Sequence, residues 1–439
     1  MTGRLSRAAA SAAAIALGAG LLSAAGLAAS GAVSPGGVSS GALSRGRGAG
    51  ESSGGPPPPS GIPVGGLGPG GFTAAYDIRP LWNHGDLGQG QTLVFFEVDG
   101  YAPADLSGYA ARFGLPAFAS SLPRIGPVSP KIFGEAELDL EVAHAIAPDA
   151  RLIYVNVAAF GGPVTAQFRR AFSTVARAYP GAIWSISLGQ CETVMPPAGL
   201  AAANAAAGLA EQGGTTVYAS SGDSGGLECL GVHQQDPAIP AQGISFPGDL
   251  PQVTSVGGTT LALTTAGRYQ GEATWTEPLL SQGSTGGQSV VFRLPPWQRA
   301  PGVISSYSDG AICGAPAGSY CREVPDVSLD AAPATGAAVL TQGRWITTGG
   351  TSLATPVWAG STALIDQYLE GRDERPVGFA NPWLYRIAGG AARYPAFHDI
   401  TAGTNDLYPA GPGYDMVTGL GSPDVWNLAR DLAALTGRP

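Results

Sequence analysis

Charge and imidazole are both scarce in this chain. Of 439 residues only 13% are Asp, Glu, Lys or Arg, and there are just four histidines, four cysteines and three methionines. The 32 acidic residues outnumber the 23 basic ones, for a formal charge of -9. A surface that neutralises phosphates needs clustered Lys and Arg, so nucleic acid is not expected as a partner. No cysteine spacing resembles a zinc site. Beyond the first 30 residues no run is long and apolar enough to span a bilayer. What the chain does have is apolar bulk. Hydrophobic residues make up 44%, enough for a sizeable core, and 67 glycines and 37 prolines imply many turns.

The N-terminus starts basic, with Arg4 and Arg7, and runs on as an Ala-rich apolar stretch to Ala29. This is the pattern of a signal peptide over residues 1–30, cleaved in the stretch 28–34. Alanine and glycine are weakly apolar, so no stable membrane association is expected after cleavage. Residues 31–71 are rich in Gly, Ser and Pro, including Pro56 to Pro59, and read as a linker. One globular unit then fills residues 72–439. Strand-like runs at residues 92–97, 151–156, 182–187 and 215–220 alternate with helical patterns at 135–146 and 200–212. Strands apolar on both faces, interleaved with helices, predict an α/β fold with a mostly parallel sheet covered on both sides. A site is expected at the carboxyl ends of those strands. An even number of cysteines in an exported chain suggests disulfides. Three connectivities are possible. Cys313 and Cys321 are close enough to clip one loop, which would leave Cys191 for Cys229.

The strongest local signal is Gly349-Gly-Thr-Ser-Leu-Ala-Thr-Pro-Val-Trp-Ala-Gly360. A Gly-rich turn lets Ser352 project from a helix N-terminus, in a field that suits a developing anion. A serine nucleophile needs a base. None of His84, His144, His233 and His398 lies in a His-Gly-Thr context, and His144 is five residues past Asp139, off that aspartate's helical face. The alternative lies in Gly134-Glu-Ala-Glu-Leu-Asp-Leu-Glu-Val-Ala143. Glu135 and Asp139, four apart, share one helix face and can share a proton. Alone, with Glu137 and Glu141, this segment would read as an ordinary acidic helix face.

Its neighbours change that reading. Glu-x-x-Leu-Asp followed by Ala-Pro-Asp-Ala and a strand, together with the Ser352 string, resembles the sedolisins, the serine-carboxyl peptidases. The likeness runs from about Phe72 to Leu435 and is nearest to kumamolisin-like members. It implies a subtilisin-like, doubly wound sheet and a secreted serine-type endopeptidase or tripeptidyl-peptidase acting at acidic pH on protein or peptide substrates. A monomer is expected. By the resemblance Ser352 is the nucleophile, Glu135 the base and Asp139 its partner. Asp223, in Ala219-Ser-Ser-Gly-Asp-Ser-Gly225, is the oxyanion-hole acid. Only a protonated carboxyl can donate there. Glu97 matches an outer glutamate that works with a tryptophan. Here the corresponding position is Leu188, which donates no hydrogen bond. Asp326 is taken as structural.

The passages His398 to Asn405 and Tyr408 to Pro423 offer oxygen ligands only, which suits calcium. They resemble the family's C-terminal calcium loop, with Asp399 and Asp415 supplying side chains and Ile400, Gly411 and Gly413 supplying carbonyls. Relatives carry a long folded prosegment. Here the Gly/Pro/Ser linker stands in its place, so folding is expected to proceed unaided or with a separate partner. The alternative function is a catalytically weak or silent binding protein on the same fold.

Overall fold

The computed structural model describes residues 66–278 and 281–436, so the expected leader and most of the linker lie outside the described residues. Eight strands form the central sheet. In chain order they are β1 Thr92–Glu97, β2 Arg124–Ile125, β3 Arg151–Asn156, β4 Ile183–Ile186, β5 Thr216–Ser220, β6 Thr254–Leu263, β7 Tyr269–Thr274 and β8 Val327–Asp330. Their spatial order is β8-β6-β5-β4-β1-β3-β2, parallel throughout. Only β7 is antiparallel, paired to β6. The order reverses between β1 and β4, which leaves a crevice at their carboxyl ends.

Strand side chains alternate between two cores. Leu93 and Phe95 of β1 join one, with Leu152 and Tyr154 of β3. Val94 and Phe96 join the other, with Ile153 and Val155. The first core is covered by helices α1 (Glu135–Ile146), α4 (Thr351–Glu370) and α5 (Val425–Thr436). The second is covered by α2 (Val164–Ala178) and α3 (Pro197–Gln212). Both faces of the sheet are therefore dry, as the apolar runs predict. The small residues after Ser352 serve close packing of α4 on α1. A Cβ at Gly360 would come within 2.9 Å of the Ile146 Cβ. The sequence reading of α1 as a possible acidic surface is corrected here. Glu137, Asp139 and Glu141 have no exposed area, because α1 lies between the sheet, α4 and a hairpin formed by Ala337–Thr341 and Arg344–Thr348.

The folded unit also takes in residues that the sequence reading leaves to the linker. Leu67 donates to the Gly336 carbonyl at 2.8 Å and accepts from Ala338 at 2.9 Å. Pro69–Ala75 is helical. Cys191 bonds to Cys229 and Cys313 to Cys321. Among the described residues no helix is long and apolar enough to cross a membrane.

Candidate active site

Ser352 sits in the first turn of α4 and is 7% exposed. The turn before it needs glycine. Gly350 has φ 95°, and a Cβ there would lie 2.7 Å from Asp223 Oδ2. Four residues after Ser352 comes Pro356, inside the helix. Proline has no N–H, so the Ser352 carbonyl lacks its helical donor. Ser187, just past β4, lies 3.3 Å from that carbonyl through its Oγ and donates to Asp139 Oδ1 at 2.8 Å.

The carboxyls converge on this serine. Glu135 opens α1, with its Oε1 buried and without a hydrogen-bond partner. Burial, then the charge of Asp139, pushes Glu135 well above the usual carboxylate range, and the nearby Ser352 hydroxyl pulls it back. Asp139 follows one turn later. Burial raises it to about 8, against the hydrogen bonds from Ser187 and Glu97. Glu97 ends β1 with no exposed area. No N–H or hydroxyl reaches either of its oxygens. Its partner is the Asp139 carboxyl, and two carboxyls in contact need a proton between them. Burial and the charges of Asp139, Asp99 and Glu135 hold Glu97 far up. Such a set titrates as a unit.

On the other side, Asp223 follows β5 and accepts two hydrogen bonds at one oxygen, from Thr351 N at 2.8 Å and Thr351 Oγ1 at 2.7 Å. Oδ2 is left to carry a proton. Burial raises Asp223 to about 6, which the Thr351 bonds oppose. Together these groups offer a hydroxyl, an acceptor for its proton and a facing acid that can donate to a developing oxyanion.

Three carboxyls near the site escaped the sequence reading as functional groups. Asp99 bonds the N-terminus of α1. Glu137 accepts from Ala102 N at 2.9 Å. Glu228 lies behind Gly222, where its Oε2 would be 2.6 Å from an added Cβ, and accepts from Thr285 Oγ1 at 3.1 Å. Burial raises Glu228 to about 7, with Asp223 adding to the shift. The one available signal was its place five residues after Asp223 in a cysteine-bearing loop. Leu188 is buried in the second core, among apolar side chains.

No imidazole takes part. His84 bonds Asp86 at 2.8 Å, His144 bonds the Pro116 carbonyl at 2.7 Å and packs on Phe118, and His233 bonds the Ile239 carbonyl at 2.7 Å. His398 stacks on Tyr269.

In the C-terminal loop, Asp399 accepts from Gly413 N at 3.1 Å, and Asp415 from Gly411 N at 3.0 Å and Thr418 N at 2.8 Å. These bonds fold the loop around its two aspartates. The carbonyls of Ile400, Gly411 and Gly413 accept no hydrogen bond from any described residue. Unpaired carbonyls beside two carboxylates fit a hard, oxygen-seeking cation. Among the described residues no group of three or more His, Cys, Asp or Glu side chains is placed to hold a metal, so any cation here would depend on those carbonyls.

The subtilase family model matches residues 129–376, more than half of the chain, and the chain belongs to that family. It is 38% identical over 355 residues to kumamolisin from Bacillus sp. strain MN-32, covering 76% of this chain and 59% of that protein. It is 34% identical over 254 residues to sedolisin from Pseudomonas sp. strain 101, covering 56% of this chain and 40% of that one. The chain thus spans roughly half the length of these relatives. A solved structure of Pseudomonas sedolisin, titled a serine-carboxyl proteinase, superposes with a TM-score of 0.67 at 26% identity, covering 84% of this chain and 98% of that one.

Proposed function

We propose that this chain is a secreted serine peptidase that works at acidic pH through Ser352, Glu135, Asp139 and Asp223. The observation that carries the reading is the convergence of the buried Glu135, Asp139 and Glu97 carboxyls on Ser352, with no cation or imidazole in contact among the described residues. In the mechanism Ser352 Oγ attacks the peptide carbonyl as Glu135 takes its proton. The charge of Asp139 raises the proton affinity of Glu135, and Ser187 and Glu97 hold Asp139. Asp223 Oδ2–H and a backbone N–H donate to the oxyanion. Glu135 then returns its proton to the leaving amine, giving an acyl-enzyme on Ser352 that water hydrolyses. The chemistry needs Asp223 protonated and one carboxylate of the coupled Glu135, Asp139 and Glu97 set ionised to accept the serine proton, a balance that burial places on the acidic side for Asp223.

The two disulfides support an oxidising, extracellular location. Calcium, held by Asp399 and Asp415 and the carbonyls of Ile400, Gly411 and Gly413, would neutralise charge and crosslink the C-terminal loop. Leu188 favours a second reading, a silent binding protein, since it withholds a hydrogen bond from the network. Incubation with denatured protein over a pH series separates the two. Hydrolysis is expected on the acidic side, falling off as Asp223 loses its proton near pH 6, and its loss in Ser352→Ala and in Glu135→Ala. Full activity in either variant ends the mechanism, and no turnover at any pH selects the silent reading.

A further inference from the structure

Helix α1 starts without a side-chain cap of its own. Gly134 precedes it with φ 101° and has nothing to offer the free N–H groups of the first turn. Asp99 takes them instead. Its Oδ2 accepts from Phe133 N at 3.1 Å and Glu135 N at 3.3 Å, and its Oδ1 from Ala136 N at 3.2 Å. Asp99 has no exposed area. Its own backbone is pinned, because Tyr154 Oη donates to the Asp99 carbonyl at 2.6 Å and Gly100 N donates to the Lys131 carbonyl at 2.6 Å. Gly100 permits that approach, since a Cβ there would lie 2.0 Å from the Ser129 carbonyl oxygen.

Asp99 stands two residues after Glu97, at the same strand end. Glu97 engages Asp139, one turn into the helix. A single strand end therefore grips α1 at two points, with Glu135 between them. We propose that Asp99 is a positioning residue for Glu135, its carboxylate fixing where the helix N-terminus sits and supplying a negative charge beside the Glu135/Asp139 pair. This rests on the peptidase reading above. Burial raises Asp99 itself to about 6, against the hydrogen bonds of Phe133, Glu135 and Ala136 N, so it carries this charge only toward the alkaline side of the profile. The titratable groups that then feel it are Glu97 on its own strand, Glu135, Glu137 and Asp139 on α1, and Tyr154 on β3. In each of the four carboxyls the charge of Asp99 raises the pKa.

Two substitutions separate placement from charge. Asp99→Asn keeps one of the two acceptor oxygens that hold the helix N–H groups and removes the charge. It is expected to leave KM unchanged, to lower kcat about tenfold and to move the alkaline limb of the kcat–pH profile down by about half a pH unit, because the pair loses a neighbouring anion. Asp99→Ala removes cap and charge together and is expected to lower kcat about 100-fold, the scale of a small misplacement at a reacting centre. Titration of ¹³C-labelled carboxyls in Asp99→Asn should show the same downward shift without any turnover. An unmoved limb and unmoved titration in Asp99→Asn overturn the proposal, as does kcat within twofold of the parent in both variants. If Asp99→Ala does not fold, Asp99→Asn decides. Ser352→Ala is assayed alongside: retained activity there sinks the peptidase reading, whereas a dead Ser352→Ala with parental Asp99 variants sinks only this inference.

Discussion

Two regions of the molecule bury acid in opposite ways. Near the C-terminal side of the fold, Asp326 meets Arg322 through two guanidinium contacts, at 2.8 and 2.5 Å. Tyr385 Oη and Ser255 N, each at 2.8 Å, complete its hydrogen bonds, and the guanidinium lies over Trp297. The Asp326 carboxylate thus has a direct counter-charge. Around Ser352 the fold brings Glu97, Asp99, Glu135, Asp139 and Asp223 together, with protons, N–H groups and the hydroxyls of Ser187 and Thr351 as their partners and no counter-charge among the described residues. A paired carboxylate is fixed in one protonation state and serves as structure. Carboxyls that face each other must exchange protons, and that is what chemistry on a hydroxyl needs.

The contrast can be tested from its strongest consequence downward. Asp139→Asn should lower kcat by about 10³–10⁴ while the midpoint of denaturant unfolding stays put or rises, since one buried acid is removed. Arg322→Met should do the reverse. Stranding Asp326 should cost about 3–5 kcal/mol of unfolding free energy, read from denaturant curves, with kcat of the surviving folded fraction near parental. A variant that lost both properties equally would erase the distinction between the regions. Asp223→Ala should lower kcat about 10²–10³. Asp223→Asn should restore most of it, because an amide donates at any pH, and its activity should persist to higher pH than the parent's.

The sign of the pH dependence of stability follows from the same groups. Asp223 at about 6, Glu228, Asp330 and Asp366 at about 7 and Asp139 at about 8 all lie above their unfolded values, mainly through burial. The folded state holds more protons than the unfolded one. The stabilisation is complete below pH about 4 and is lost as pH rises through those values. The Tm should fall by about 5 °C or more between pH 4 and pH 8, and a Tm that rose over this window would show the carboxyls to be compensated after all. The smallest effect concerns the C-terminal loop. Chelation by EDTA should lower the Tm by about 2–4 °C, through loss of a ligand bound only by the folded state, and added calcium should restore it.

The sequence showed some of this plainly and some not at all. The limits of β1, α1 and β3 coincide with the periodic patterns, because a dry sheet leaves uninterrupted apolar runs. Motifs single out Ser352, Glu135, Asp139 and Asp223, and the fold brings Ser352, Glu135 and Asp139 together with Asp223 beside Thr351. Burial of Glu137 and Glu141 was not visible, since a helix written with four acids looks solvated until its neighbours are known. Glu141 accepts from Leu340 N, almost 200 residues away in the chain. Asp99 was missed for a related reason. A glycine before a helix signals only that the cap must come from elsewhere, and its source is a strand end brought there by the fold.

The contact between Gly360 and Ile146 has a practical consequence. It welds the helix carrying Glu135 to the helix carrying Ser352 along their shared seam, so neither side chain of the proposed pair can drift without splitting the interior. On heating, the molecule should keep its full competence until the whole core lets go at once.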